Sequence, residues 1–268
     1  MSKKLFFDID GTLIDMKLGI RSITEASMKS LNELKELGHD VFLATGRCRC
    51  FIVDGVSFYP FNGYVTCNGA YVEYNGKCLY KQVIPGRAID ETIRISKNKN
   101  WNFYFESNNQ IYIRDKNDLN HIQFAKNWGM KPEVTVDCFD PYQIEAYIGM
   151  IVLNDKKETA EMVQALSPYF DIQRHQSDYS FDLTLRGVSK ANGIRKLVET
   201  LNGSMEDTIA FGDGRNDIEM LEEVNLGVAM GNAAKEAKSV ADYITDSIDR
   251  EGITRALMNF GLIDKRQL

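Results

Sequence analysis

The chain has 268 residues, 44% of them hydrophobic and 26% charged, with a net charge of -6. That is material for one large or two medium globular domains with substantial cores. The acidic balance argues against sequence-independent nucleic-acid binding, which draws on basic surface, and no apolar run has the length of a membrane span.

The N-terminal residues Met1 to Leu5 run directly into a strand pattern without a signal-peptide apolar region, so the expected location is cytoplasmic. The five cysteines, Cys48, Cys50, Cys67, Cys78 and Cys138, are odd in number and lack a regular framework, which suits thiols in a reducing compartment. Cys48 and Cys50 stand one residue apart, not at a zinc-ligand spacing. They read first as ordinary cysteines near the mouth of a site and second as a redox pair. None of the three histidines has metal-ligand spacing, and none is read as a ligand.

In chain order, Leu5-Phe6-Phe7 leads into Asp8-Ile9-Asp10-Gly11-Thr12, an apolar run ending in an Asp-Gly turn. Two carboxylates at the tip of a core strand are costly unless a metal or a reaction occupies the site. The other reading is an Asx turn. Met28, Leu31, Leu34 and Leu37 then mark one face of a helix over Thr24 to Leu37, stopped by Gly38. Asp40 to Thr45 and Tyr64 to Cys67 read as buried strands, and Asn75-Gly76 as a hairpin turn between Tyr71–Tyr74 and Cys78–Tyr80.

From Val83 the texture changes. Strands are expected over Asn102–Glu106, Ile111–Arg114, Ala146–Leu153 and Phe181–Leu185, and helices over Asp118–Trp128 and Lys156–Leu166. From Ser189 alternation resumes: a helix to Leu201, strands at Thr208–Phe211, Leu226–Met230 and Tyr243–Thr245, helices from Asp217 and from Gly252 to Phe260, and a frayed end from Asp264. An interrupted and resumed βα pattern implies a doubly wound parallel α/β sheet carrying an inserted α+β domain. The expected boundaries are 1–82, 83–183 and 184–268. Ligands of such sheets bind at the carboxyl ends of the strands, near a topological switch point. Asp8, Thr45 and Asp213 all fall at such ends.

Four segments together carry a resemblance: Asp8-Ile9-Asp10-Gly11-Thr12-Leu13; Leu43-Ala44-Thr45-Gly46-Arg47; Ser189-Lys190-Ala191-Asn192-Gly193-Ile194; and Phe211-Gly212-Asp213-Gly214-Arg215-Asn216-Asp217. In that order they resemble the motifs of the haloacid dehalogenase-like (HAD) phosphatase superfamily, closest to its Cof-type (subfamily IIB) sugar-phosphate phosphatases, over about Lys4 to Phe260. The resemblance implies a Rossmann-like core with an inserted cap domain that sets substrate specificity. It also implies Mg²⁺ as cofactor and a small phosphorylated metabolite as substrate, with no nucleic-acid or membrane partner. Oligomeric state is left open.

Phosphate-ester hydrolysis needs a nucleophile, an acid for the leaving oxygen and positive charge for the equatorial oxygens. Asp8 suits the nucleophile, and Asp10 the acid that later activates water. By resemblance, Asp8 and Asp213 bind the metal through carboxylates and Asp10 through its carbonyl, with Asp217 in support. Helix capping is the other reading of Asp217. Thr45, Gly46, Lys190 and Asn216 would hold the phosphate. Lys190, read alone, would be a solvated lysine in a helix's first turn. Arg47, Asn68, Arg174 and Asp182 are candidate substrate contacts, the last two within a polar run that also holds His175, Asp178 and Tyr179. For Asn68 a left-handed turn, and for the polar run a solvated strand edge, are the competing readings. Two alternatives of function stand beside the phosphatase: a phosphohexomutase that keeps water from the aspartyl-phosphate, and a non-enzymatic metabolite-binding module.

Overall fold

The computed structural model describes residues 2–175 and 179–264. Asp178 and the chain end after Asp264 lie outside the described residues. In order, the elements are β1 (Lys4–Phe7), α1 (Glu25–Glu36), β2 (Asp40–Ala44), α2 (Asp54–Ser57), β3 (Gly63–Thr66), β4 (Tyr71–Tyr74) and β5 (Lys77–Lys81). Next come α3 (Gly86–Lys99), β6 (Asn102–Glu106), β7 (Ile111–Ile113), α4 (Leu119–Trp128), β8 (Thr135–Val136), β9 (Ile148–Val152), α5 (Thr159–Leu166), β10 (Asp171–Arg174) and β11 (Ser180–Thr184). The chain closes with α6 (Lys190–Thr200), β12 (Thr208–Gly212), α7 (Ile218–Glu223), β13 (Leu226–Ala229), α8 (Lys235–Val240), β14 (Tyr243–Ile244) and α9 (Gly252–Asn259).

These elements form two compact units. One comprises the chain up to Gly46, Val53–Tyr80 and the chain from Ser189. The other comprises Arg47–Ile52 and Lys81–Val188.

The first unit is built on an eight-stranded sheet in the order β14-β13-β12-β1-β2-β3-β4-β5. Pairing is parallel from β14 to β3 and turns antiparallel at β4. Read from β3, the parallel strands run outward through β2 and β1, then jump to β12 and continue in chain order. The reversal falls between β1 and β12, which is the switch point of a doubly wound sheet. Buried on both faces, these strands are continuous apolar runs rather than alternating ones, and Leu5, Phe6 and Phe7 are fully buried. Phe6 stacks on Phe42 with ring centroids 5.0 Å apart, and Phe7 on Phe211 at 4.9 Å. Each buried ring contributes about 2–3 kcal/mol, and together they lock the register of β1 against both neighbours. Thr24 caps α1 by accepting from the Ser27 N–H at 3.2 Å. Asn75 and Gly76 both have positive φ, which closes the β4–β5 hairpin as the Asn-Gly pair predicted.

The second unit is a six-stranded sheet in the order β10-β11-β9-β6-β7-β8, antiparallel except for the β7–β8 pair. Successive side chains along its strands point to opposite faces. Phe103, Ile151 and Phe181 lie opposite one another across β6, β9 and β11 and join Phe105 and Leu183 on one face. That face packs on Ile89 and Ile93 of α3 and Met162 and Leu166 of α5. The row Tyr104, Met150 and Asp182 lies on the other face with Glu106. Strands β8 and β10 and helix α2 carried no sequence signal: the first is two residues long, and β10 is a polar edge strand. The helix expected from Lys156 begins as a 3-10 turn, Lys156–Glu158, and turns α-helical at Thr159. Among the described residues no helix is long and apolar enough to cross a membrane.

Candidate active site

Asp8, Thr45 and Asp213 each follow directly on the last residue of a parallel strand, β1, β2 and β12. The Asp8 N–H still donates to the Phe211 carbonyl at 3.0 Å, extending the β1–β12 ladder by one residue. The stacked Phe7–Phe211 pair therefore sets Asp8 beside the loop that carries Asp213. Carboxylate oxygens of Asp8, Asp213 and Asp217 all lie within 4.8 Å of one another, and all three residues are buried.

Lys190, at the start of α6, is fully buried, so the solvated reading of this lysine does not hold. Its ammonium donates to Asp8 Oδ1 and to Asp217 Oδ1, both at 2.6 Å. Ser189 caps α6 and delivers Lys190 in its first turn. Asp217 also accepts the backbone N–H groups of Asp213 at 2.9 Å and Gly214 at 2.8 Å through Oδ2. It thus braces the Asp213 loop on one side and Lys190 on the other.

Three carboxylates against one ammonium leave two negative charges uncompensated, the charge of one divalent cation. The titration of the cluster reflects that excess. Burial pushes the Asp8 carboxyl up to about 7; Lys190 opposes this, while Asp217 and Asp10 add to it. Burial, followed by the charges of Asp8 and Asp217, pushes Asp213 up to about 9. Lys190 is held above its ordinary value, because Asp217 and Asp8 outweigh the cost of burying its charge. Asp213 Oδ1 is buried with no hydrogen-bond partner. A hard divalent cation fits this donor set: oxygen ligands only, an orphaned carboxylate oxygen, and a matching charge deficit.

Asp10 lies two residues past β1, in an isolated bridge to Ile14, and adds its charge to the cluster. Between it and Thr12, Gly11 has φ +91°, and a Cβ there would run into the Asp213 carboxylate. The glycine serves close approach as well as the turn, which sequence spacing alone did not reveal. Thr12 Oγ1 is buried beside it without a partner.

The expected phosphate-binding residues come together in part. Thr45 is buried, and its N–H donates to Val65 at 2.8 Å. A Cβ on Gly46 would meet Asn68 Oδ1 and, slightly further off, Asn216 Nδ2, so both amides face this glycine. The Asn216 amide donates to Asn68 Oδ1 at 3.1 Å. Cys67, Asn68 and Gly69 form three successive left-handed residues. Such a run costs of order 1–3 kcal/mol per strained non-glycine residue. It turns Asn68 inward to 3% exposure and presses Gly69 against the Ser189 carbonyl, where a side chain would not fit. The left-handed turn expected at Asn68 is therefore present, and its side chain also reaches the Gly46–Asn216 neighbourhood.

The remaining candidates belong to the second unit. Arg47 donates to the Phe51 carbonyl at 2.9 Å and the Trp128 carbonyl at 3.3 Å, and its guanidinium lies 4.6 Å from the Phe51 ring centre. Asp182 pairs with His175 at 2.8 Å, and the other ring nitrogen of His175 meets Ser180 Oγ at 2.9 Å. Burial disfavours the imidazolium, but Asp182 and then Glu106 outweigh it, so the His175 pKa is raised. Arg174 is the register partner of Phe181, whereas Asp182 pairs with Gln173. The two candidates therefore project from opposite faces of the sheet. Sequence reading passed over Glu106, a buried carboxylate pushed by desolvation up to about 7.

At the switch point of this doubly wound sheet, the buried Asp8 carboxylate is paired with a buried lysine and grouped with two further acids. Residues 5–257 match the profile of the haloacid dehalogenase-like hydrolases. The putative phosphatase YkrA of Bacillus subtilis is 32% identical over 98% of this chain and 99% of its own length. The 5-amino-6-(5-phospho-D-ribitylamino)uracil phosphatase YcsE of the same bacterium is 26% identical over 97% and 96%. Among solved structures, the HAD subclass IIB sugar phosphatase BT4131 superposes with a TM-score of 0.86 at 30% identity, covering 98% of this chain and all of that one. The chain belongs to the haloacid dehalogenase-like hydrolase family. It is an enzyme of that family's phosphatase group, acting on phosphorylated substrates.

Proposed function

We propose that the chain is a Mg²⁺-dependent phosphatase of small phosphorylated metabolites, sugar phosphates foremost, that works through an aspartyl-phosphate on Asp8. The observation that carries this reading is the Lys190 ammonium held between Asp8 and Asp217, with Asp213 in the same cluster. Lys190 favours the ionised form of Asp8 and so keeps it nucleophilic. The carboxylate attacks phosphorus, and the bond to the leaving oxygen breaks as Asp10 delivers a proton to it. Asp10, now ionised, takes a proton from the water that attacks the aspartyl-phosphate, and inorganic phosphate leaves with Asp8 regenerated. The Thr45 hydroxyl, the Gly46 N–H and the Asn216 amide supply donors to the equatorial oxygens.

Asp8 and Asp213 would hold the cation through carboxylates and Asp10 through its backbone carbonyl. Asp217, whose oxygens already accept from Lys190 and two N–H groups, supports them. Bound there, Mg²⁺ supplies charge that offsets the repulsion between these acids and a phosphate dianion. Selection among substrates would draw on polar groups of the second unit's sheet, where the Asp182 carboxylate, oriented by His175, offers an acceptor suited to sugar hydroxyls.

The test is phosphate release from p-nitrophenyl phosphate and from a panel of hexose and pentose phosphates, with Mg²⁺ and with EDTA. Wild type should turn over only with the metal, and Asp8→Asn should lose on the order of ten-thousandfold. Metal-independent turnover, or an Asp8→Asn enzyme with near-normal rate, sinks the reading. An isomerised ester in place of inorganic phosphate from hexose 1-phosphate would make it a mutase.

A further inference from the structure

The second unit holds a group of reactive side chains that phosphate hydrolysis does not use. Cys48 stands at the N-cap of the 3-10 turn Arg49–Phe51 and Cys50 within it, and Cys48 Sγ lies 3.5 Å from Cys50 Sγ. Cys48 is fully buried, while Cys50 is half-buried. Cys50 Sγ also reaches the Ser107 carbonyl at 3.7 Å. Both the thiol and the backbone N–H of Cys48 donate to the Glu106 carboxylate. Asp182 and Arg47 bear on the same carboxylate by charge.

We propose that Cys48 and Cys50 form a dithiol modification site, which a low-molecular-weight disulfide such as oxidised glutathione closes into an intramolecular disulfide, with Glu106 as the base for the closing step. Cys50, the accessible thiol, attacks as thiolate. The reagent's S–S bond breaks, one glutathione leaves with a proton, and a mixed disulfide stands on Cys50. The Cys48 thiol passes its proton to Glu106 as its sulfur attacks the Cys50 sulfur, and the second glutathione leaves as thiolate and takes up a proton. The two cysteines are oxidised by two electrons and one disulfide is reduced to two thiols. The sulfurs need approach by only about 1.5 Å to reach bonding distance. A carboxyl held near 7 by burial is matched to general-base work at neutral pH.

Closure across the single residue Arg49 makes a small ring, the kind of disulfide that reduces readily and serves as a reversible modification rather than a staple. It also removes the Cys48 thiol from Glu106 and tightens the segment that follows Thr45 and Gly46 along the chain. Closure should therefore lower turnover. That last consequence rests on the proposed phosphatase chemistry; formation of the disulfide does not.

The experiment incubates the full-length enzyme with graded ratios of oxidised to reduced glutathione, alkylates remaining thiols with iodoacetamide and weighs the proteolytic fragment spanning Arg47–Phe51. The expected fragment is about two mass units lighter, carries no alkyl group, and reverts on addition of dithiothreitol. Cys48→Ser should stop at the glutathione adduct on Cys50. Cys50→Ser should show no modification in this fragment and keep its turnover in the oxidant. Glu106→Gln should accumulate the mixed disulfide and close on the order of a hundredfold more slowly. The exposed Cys78 and Cys138 report that the oxidant is active. The proposal is overturned if Cys48 and Cys50 both remain alkylated while Cys78 and Cys138 are fully glutathionylated. It is equally overturned if wild type stops at the adduct. A closed disulfide with unchanged turnover would refute the loss of activity alone. A reductant-reversible loss in wild type that Cys50→Ser lacks would establish it.

Discussion

The two units place charge in opposite ways. In the first, the central parallel strands β1, β2, β12 and β13 are largely buried, and the clustered carboxylates Asp8 and Asp213 stand where strands end. Asp8, Asp213 and Asp217 gather there because backbone geometry leaves one polar edge at the switch point. In the second, strand register sets polar groups along one face of the antiparallel sheet: Glu106 on β6, Asp182 on β11, and His175 just past β10. The first arrangement fixes a few groups rigidly and suits chemistry that is the same for any phosphate ester. The second tolerates substitution on one face without disturbing the apolar other, and suits recognition that varies from one substrate to the next.

Lys190→Met should show the contrast at its strongest. Removing the ammonium leaves Asp8 and Asp217 buried without their common counter-charge, which costs about 3–5 kcal/mol. Turnover should also drop about a hundredfold to a thousandfold. Urea unfolding in EDTA together with steady-state rates would check both. A Lys190→Met enzyme of normal stability would mean the acids are already neutral without it.

Metal binding comes next. Mg²⁺ at a hundredfold excess over its dissociation constant should stabilise the wild-type chain by about 2.7 kcal/mol. Asp213→Asn, which removes the orphaned buried carboxylate, should abolish most of that gain in a thermal melt with and without the metal. An equal Mg²⁺ shift in both proteins would place the cation elsewhere.

Glu106 carries the corresponding charge test for the second unit. Its carboxyl is raised from 4.5 to about 7. Between those values the folded chain keeps a proton that the unfolded chain has lost, so this group makes stability fall as pH rises. The groups facing it are Cys48, Asp182, Arg47 and, through Asp182, His175. His175, raised in the folded state, also contributes stability that fades with rising pH. Glu106→Gln should therefore flatten the decline between pH 5 and 8 by roughly 1–3 kcal/mol without abolishing it. Parallel stability curves for the two proteins would show that Glu106 stays ionised when folded.

Much of the first unit was legible because buried parallel strands announce themselves as unbroken apolar runs. Leu5–Phe7, Val41–Ala44 and Ile209–Phe211 did so, and Asp8, Thr45 and Asp213 after them marked the candidate edge. What stayed hidden there was depth. Nothing in Ser189-Lys190-Ala191 distinguishes a buried lysine from a solvated one, since the distinction comes from packing against strands far away in sequence. In the second unit the long strands were legible and their pairing was not. The Arg47–Ile52 segment follows Thr45 and Gly46 directly in sequence, yet it belongs with Glu106, Ser107 and Trp128, whose positions only tertiary contacts define.

The smallest expected effect separates Arg174 from Asp182. Eight residues apart, they read as one polar run, and both stood as substrate contacts. Register sets Arg174 level with Phe181 at the edge strand and Asp182 on the opposite face beside Met150. If recognition belongs to the polar face, Asp182→Ala should raise KM for a sugar phosphate several-fold, by about 1 kcal/mol for a lost hydrogen bond. It should leave KM for p-nitrophenyl phosphate, which has no sugar hydroxyls, nearly unchanged. Arg174→Ala should alter neither. The reverse pattern, with Arg174 governing KM, would assign recognition to the helix-covered side. Phe103, Ile151 and Phe181 pack against the helices there, and selection would then depend on the strand edge rather than on the face.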